Sequence, residues 1–221
     1  MSALEIIVSH RQEFLRGLQV TLQLCLIIWS VGIMAGMILG VAGARWKTVI
    51  GLPSRVLSFV LSGVPILVFL FWLYYPLQYA LGVDISPFKT AAAALCIVNT
   101  FLVADVIRAV LLEFPEQYLM AARVCGLTDR ETVLQIELPI VARQVLPSLL
   151  FVQVGMLQAT LFASLISVEE IFRVAQRVNS EEYRPIQIYT ALAFFFLAIC
   201  LPLHGLAHYL KQRFTRNLSE R

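Results

Sequence analysis

The chain has 221 residues, of which 59% are hydrophobic and only 14% charged, with a mean hydropathy of +0.81. Soluble domains carry about 25% charged residues, so an ordinary soluble domain is excluded and a membrane protein is indicated. A net charge of +3 gives no footing for nucleic acid, and Cys25, Cys96, Cys125 and Cys200 are scattered, with no C-x-x-C and three of them in apolar runs, which reads as small apolar fillers and not as a disulfide framework or metal site.

Charge-free windows set the predicted spans. Residues 17–44, 56–83, 144–168 and 185–210 carry no Asp, Glu, Lys or Arg. Each can cross a bilayer core, which takes about 20 helical residues. A shorter window, 90–104, extends through Asp105 and Arg108 to residue 112. The expected fold is therefore all-α with five membrane helices, at about 17–44, 56–80, 90–112, 144–168 and 187–210, in one domain covering 1–221. An odd number of spans puts the termini on opposite sides. Eleven Lys and Arg fall on the side of the C-terminus and of the segment between spans three and four, against six on the other. The positive-inside rule makes that side cytoplasmic and the N-terminus external.

Residues 1–16 mix apolar and charged side chains, as in a helix lying at the outer interface. Ala42-Gly43-Ala44 has the form of a signal-cleavage site, but the apolar run before it is too long for a signal peptide. Span one carries Gly32, Gly36 and Gly40, a small-residue stripe that lets a second helix approach closely, within the subunit or from another one. Span two contains Ser62-Gly63-Val64-Pro65, and Pro65 must disturb the helix and free backbone carbonyls. Trp72, Tyr74, Tyr75 and Tyr79 suit the membrane interface. Asp105 and Arg108, at i and i+3, share a helix face and form a structural ion pair at the end of span three.

Residues 113–139 are the longest polar interruption and are built like a folded element. Pro115 suits a first helical turn and Glu116 a helix N-terminus. Gly126 supplies a left-handed terminator followed by apolar Leu127. Thr128 and Glu131 make a capping box for a second short helix, which Pro139 is expected to interrupt. Span four is the polar one. Gln153, Thr160, Ser164 and Ser167 recur on one face, either lining a polar pathway or bonding a neighbouring helix. The charged stretch 169–187 lies outside and reads as a solvated loop or a contact for a delivery protein. His204 and His208 have metal-pair spacing, but no supporting carboxylate stands near them.

Residues 113–139 resemble the cytoplasmic "EAA" coupling loop of permease subunits of bacterial ATP-binding cassette importers. Ala121-Ala122, Gly126 and Ile136-Glu137-Leu138-Pro139 match, while Met120 stands where the first Glu is usual. Further likeness is to the polar amino-acid uptake group, the histidine and glutamine permeases. Gly17-Leu18 and Thr21-Leu22 match its G-L-x-x-T-L pattern. Ser62-Gly63-Val64-Pro65 stands where its Arg-Gly-Thr-Pro occurs, and Asp105 where a Glu precedes the Arg. Gln158-Ala159-Thr160-Leu161-Phe162 occupies the place of Lys-Asp-Thr-Ser-Leu, keeping the threonine and losing both charges.

The resemblance implies an inner-membrane, multi-pass subunit of an amino-acid importer. Glu116, Ala121, Ala122, Arg123 and Gly126 would couple it to a cytoplasmic ATPase. Gln153, Gln158, Thr160 and Ser164 would line the substrate pathway. It also implies partners: two copies of the ATPase, a second permease and an extracytoplasmic amino-acid-binding protein, besides membrane lipid. The missing charges make that second permease a related but different chain. No G-x-x-x-x-G-K-[ST] pattern is present, so ATP and Mg would sit on the partner and no cofactor or metal on this chain. The chain is not expected to be an enzyme. The alternatives are a structural or assembly subunit and a component of a secondary transporter.

Overall fold

The computed structural model describes residues 3–219, with side chains described from residue 5 to residue 214. Met1 and Ser2 of the expected interfacial helix, and Arg221 of the charge count, lie outside that range, as does the side chain of Arg216. Everything regular in the described residues is helical. A short helix α1 (Ala3–Ser9) leads into the long α2 (Arg11–Arg45), so the predicted interfacial helix is divided between them. There follow α3 (Leu52–Gly63), α4 (Ile66–Tyr74) and α5 (Pro76–Leu81). Next come α6 (Pro87–Leu112), α7 (Glu116–Val124), α8 (Asp129–Thr132) and α9 (Leu138–Ala159). The chain closes with α10 (Ile171–Glu182) and α11 (Pro185–Ser219).

Among the described residues, four helical stretches are long and apolar enough to cross a membrane: Arg11–Arg45, Pro87–Leu112, Asp129–Ile166 and Pro185–Phe214. The predicted second span is not one straight helix. Lys47–Gly63 and Ile66–Leu81 meet at a bend of 97°. The cause is local: Val64 and Pro65 are extended, and Pro65 brings no N–H to continue α3.

The core lies where α2, α6 and α9 meet. Leu24 and Ile28 of α2 pack with Ala91, Ala94 and Leu95 of α6, Met156 and Ala159 of α9, and Leu70 of α4. The glycine stripe makes this contact close. A Cβ on Gly36 would lie 2.6 Å from Val103 Cβ and 2.8 Å from the Thr100 carbonyl oxygen. One on Gly40 would lie 2.9 Å from the Ala104 carbonyl, and one on Gly32 would overlap the Asn99 side chain. Of the two readings of the stripe, packing inside the subunit is the one observed. Without a hydrophobic drive between helices in lipid, such close backbone approach is what dispersion and hydrogen bonding require.

Candidate functional site: a coupling segment and a polar bundle interior

The segment between α6 and α9 is folded throughout. Pro115 takes the position just before α7, and Tyr118 N–H donates to its carbonyl at 3.2 Å. Phe114, Tyr118 and Leu119 pack with Val103 and Ile107 of α6 and Val141 and Val145 of α9, which fixes α7 against the ends of two spans. At its C-terminus Gly126 has φ +77°. Gly126 N–H donates to Arg123 O at 3.0 Å and Leu127 N–H to Ala122 O at 3.1 Å, a Schellman termination. The capping box forms as well: Thr128 Oγ1 accepts from Glu131 N–H at 3.3 Å, and Glu131 Oε2 accepts from Thr128 N–H at 2.9 Å.

Packing decides which side of α7 faces outward. Glu116, Gln117, Met120, Ala121, Arg123 and Val124 are exposed, Met120 to 60% and Val124 to 88%. Ala122 is 2% exposed and faces the subunit's own interior. Of the five residues expected to couple, Ala122 is therefore the one that supports α7 from behind. The outward surface runs along 117, 120, 121 and 124, at helical spacing.

Pro139 does not interrupt the second helix, contrary to expectation. Leu138 N–H donates to Val133 O, five residues back, through a π-helical turn at Val133–Glu137. The same device precedes Pro53, where Leu52 N–H reaches Lys47 O through the π turn at Lys47–Gly51. A proline lacking its donor is tolerated when the turn before it widens. As a result α8, the π turn, α9 and a 3-10 segment at Thr160–Ile166 run as one stretch, Asp129–Ile166. The helix that carries span four thus begins well before residue 144.

Inside the bundle, the polar residues of span four separate. Gln153 is buried and forms a reciprocal amide pair with Asn99: Gln153 Nε2 donates to Asn99 Oδ1 at 3.2 Å, and Asn99 Nδ2 to Gln153 Oε1 at 3.1 Å. Asn99 Nδ2 also donates to Ile28 O at 2.8 Å, and Trp29 Nε1 to Gln153 O at 3.2 Å. One polar knot thus joins α2, α6 and α9 in an apolar surrounding, where each amide group left alone would be costly. Thr160 and Ser164 are also buried, and each hydroxyl donates to a carbonyl three residues back at 2.7 Å. Ser167 leaves the stripe: it is exposed and ends the 3-10 turn with φ +68°. Gln158 is exposed on another face, as is Ser62 beside the bend of span two.

Asp105 and Arg108 are paired. Arg108, 6% exposed, also donates through Nη1 to Ser54 Oγ at 2.7 Å, and Asp105 Oδ2 accepts from Ser58 Oγ. Both serines belong to α3, so the pair clamps α3 to α6. The sequence offered Ser54 and Ser58 at i and i+4, but no signal tied them to residues about fifty positions away.

Residues 32–216 match the family described as "Binding-protein-dependent transport system inner membrane component". The chain belongs to that family. Among similar proteins is the glutamine transport system permease protein GlnP of Escherichia coli K12, 26% identical over 200 residues, 90% of this chain and 91% of that one. Another is the octopine transport system permease protein OccM of Rhizobium radiobacter, 29% identical over 195 residues, 84% of this chain and 79% of that one. A solved structure described as "Crystal structure of an amino acid ABC transporter with histidines" superposes with a TM-score of 0.83 at 25% identity, covering 96% of this chain and 99% of the other.

One part of this inner-membrane component escaped the sequence reading. The stretch expected to be a solvated loop or a contact for a delivery protein contains the amphipathic helix α10, with Ile171, Val174, Ala175 and Val178 buried. It packs against Ile6, Phe14 and Ile188. Its start is pinned to α2: Ile171 N–H donates to Thr21 Oγ1 at 3.1 Å, and a Cβ on Gly17 would lie 2.8 Å from Val174 Cγ2 and 3.1 Å from the Ile171 backbone. Gly17 and Thr21 are the polar-permease pattern near the start of span one, and here that pattern docks α10. Glu170 caps the helix, its Oε1 accepting from Arg173 N–H at 2.8 Å, yet it is fully buried and Oε2 has no hydrogen-bond partner among the described residues. Burial pushes its carboxyl up to about 7, against the opposing pull of the Phe172 and Arg173 amides, with the Glu169 charge adding to the rise. Outside the helix, Arg177 bridges Glu169 at 2.7 Å and Glu13 at 3.0 Å.

Proposed function

We propose that this chain is the membrane subunit of an ATP-driven importer of an amino acid or amino-acid-like solute, with residues 113–139 cytoplasmic and the N-terminus external. The observation that carries the reading is the match over residues 32–216 to a family of binding-protein-dependent transport components. Membership in that family implies a separate ATPase and a binding protein as partners. The relatives named for glutamine and for octopine are similarly distant, so the solute itself stays open within this class.

The ATPase, in two copies with its own ATP and Mg, would dock on the outward face of α7 around Glu116, Met120, Ala121, Arg123 and Val124. Gln153, Thr160 and Ser164 are occupied in holding the bundle together. Gln158 and Ser62, by contrast, are among the exposed polar groups of the spans and are available to face a pathway. Lipid is a poor neighbour for an amide, which supports placing that face toward a wet cavity or a second subunit. Since neither residue is charged, a related permease carrying charges would supply most contacts to an ammonium and a carboxylate. This reading favours a heterodimer.

Reconstitution in proteoliposomes with the ATPase, the binding protein and each candidate second permease tests it, using a panel of radiolabelled amino acids. Uptake should require ATP and the second permease. Uptake driven by an ion gradient without ATP would overturn the importer reading. ATP-driven uptake by two copies of this chain alone would overturn only the heterodimer.

A further inference from the structure

A groove of about 290 Å³ lies between the start of α2 and α11. Its walls are almost wholly apolar, formed by Phe14 and Leu18 of α2 and by Ile188, Leu192 and Phe195 of α11, with Arg11 as the only charged lining residue among the described residues. From Arg11 to Leu18, and from Ile188 to Phe195, the walls descend seven residues, roughly 10 Å along each helix. Both helices belong to stretches long and apolar enough to span the bilayer, so the groove runs from the headgroup level into the hydrocarbon.

We infer that this groove is a phospholipid site, in which one acyl chain of the surrounding leaflet fills the apolar cleft and its phosphodiester sits on Arg11. Charge complementarity selects this occupant. Arg11 is exposed at the mouth. Its acidic neighbour Glu13 is already engaged by Arg177 at 3.0 Å, leaving the guanidinium available to a phosphate. Below the mouth, water would find no polar partner, and an empty cleft would forfeit dispersion contacts along every wall. An acyl chain restores them. The filled site would also brace α10, because Ile171 at its start lines the same groove. The inference requires only that α2 and α11 cross a bilayer, and it is independent of the transported solute.

The test uses the full-length chain, purified with the subunits that accompany it and placed in nanodiscs containing a phosphatidylethanolamine with a photoreactive group on the upper acyl chain. Labelling should concentrate on Phe14–Leu18 and Leu192–Phe195, compared with Leu201, 60% exposed farther along α11. Arg11→Glu should reduce groove labelling about tenfold, as loss of one charge-assisted contact predicts, while Arg11→Lys retains most of it. Ala191→Trp, which fills the cleft, should reduce it without changing the label at Leu201. Groove labelling that is unchanged in Arg11→Glu, or no stronger than at Leu201, would overturn the inference. Cross-links from the groove to a polypeptide in place of lipid would overturn it too.

Discussion

Gly36→Ala tests the central helix pair most directly. The added methyl would sit 2.6 Å from Val103 Cβ and 2.8 Å from the Thr100 carbonyl oxygen, where ordinary carbon contacts lie at about 3.5–4.0 Å. Val103 is fully buried, and the second obstacle is backbone, so neither can swing aside. Relief therefore requires α2 and α6 to part by about 1 Å. Because both helices are stiff, the gap extends to Gly32 and Gly40 and stretches the bond from Asn99 Nδ2 to Ile28 O, now 2.8 Å. Overpacking of this kind costs about 1–3 kcal/mol, and a central value of about 2 kcal/mol lowers Tm by roughly 4–8 °C in a chain of this size. The assay is the thermal loss of monodisperse complex in detergent, with Gly205→Ala as the control, since a Cβ there meets nothing within 4 Å. Equal melting of the two variants would refute the packing argument.

Three further outcomes follow from the same geometry. Val124→Asp, with or without Met120→Asp, should abolish copurification of the ATPase and leave membrane insertion unchanged, whereas Ala122→Trp should lower the yield of folded subunit; pull-down and expression level separate the two. Asn99→Leu leaves Gln153 Nε2 without its acceptor and should destabilise the subunit by about 1–3 kcal/mol, measured by the same melt, with Asn99→Leu plus Gln153→Leu recovering part of the loss. For Glu170 the folded carboxyl titrates near 7 and the unfolded one near 4.5, so between those values the folded state holds the extra proton. Stability is then fullest below about pH 4.5 and declines as pH rises to 7, by about 3 kcal/mol at most; hydrogen exchange in α10 should quicken over that window, and Glu170→Gln should remove the dependence.

What the sequence made legible was local. The Gly126 termination, the Thr128–Glu131 box and the i, i+3 pairing of Asp105 with Arg108 depend on neighbours within one or two turns, and each can be read from spacing. The glycine stripe named a packing face but not its partner, because Asn99, Val103 and Ile107 come from a helix some 65 residues away. For Gln153 spacing left two readings, a pathway or a bond to a neighbouring helix, and the structure shows the bond. A polar residue in a span reads alike whether it faces a pathway or an amide 54 positions distant. In α10 the apolar period of Ile171, Val174, Ala175 and Val178 was present, but Arg173 and Arg177 between them and the Glu pairs on either side made the stretch look solvated. Pro139 misled in a different way, since a rule about α-helices does not anticipate a π turn that supplies the missing register.

That π turn has a consequence for coupling. Because Asp129–Ile166 is continuous, a displacement delivered at α7 has a stiff path into span four. The stretch covers 38 residues, roughly 55 Å at helical rise, enough to reach from the docking surface through the bilayer core. At its far end lie Ala163 and Ile166, packed against α6, and the turn at Ser167 that leads to Glu170 and α10. The hypothesis is that ATPase closure moves this rod as a unit and shifts α10 together with the spans. Inserting two glycines between Gln135 and Ile136 should preserve α7, and with it ATPase binding, while making the connection compliant. ATP hydrolysis should then continue with uptake strongly reduced. Uptake in proportion to hydrolysis, equal to that of the unmodified chain, would show that the motion travels by another route.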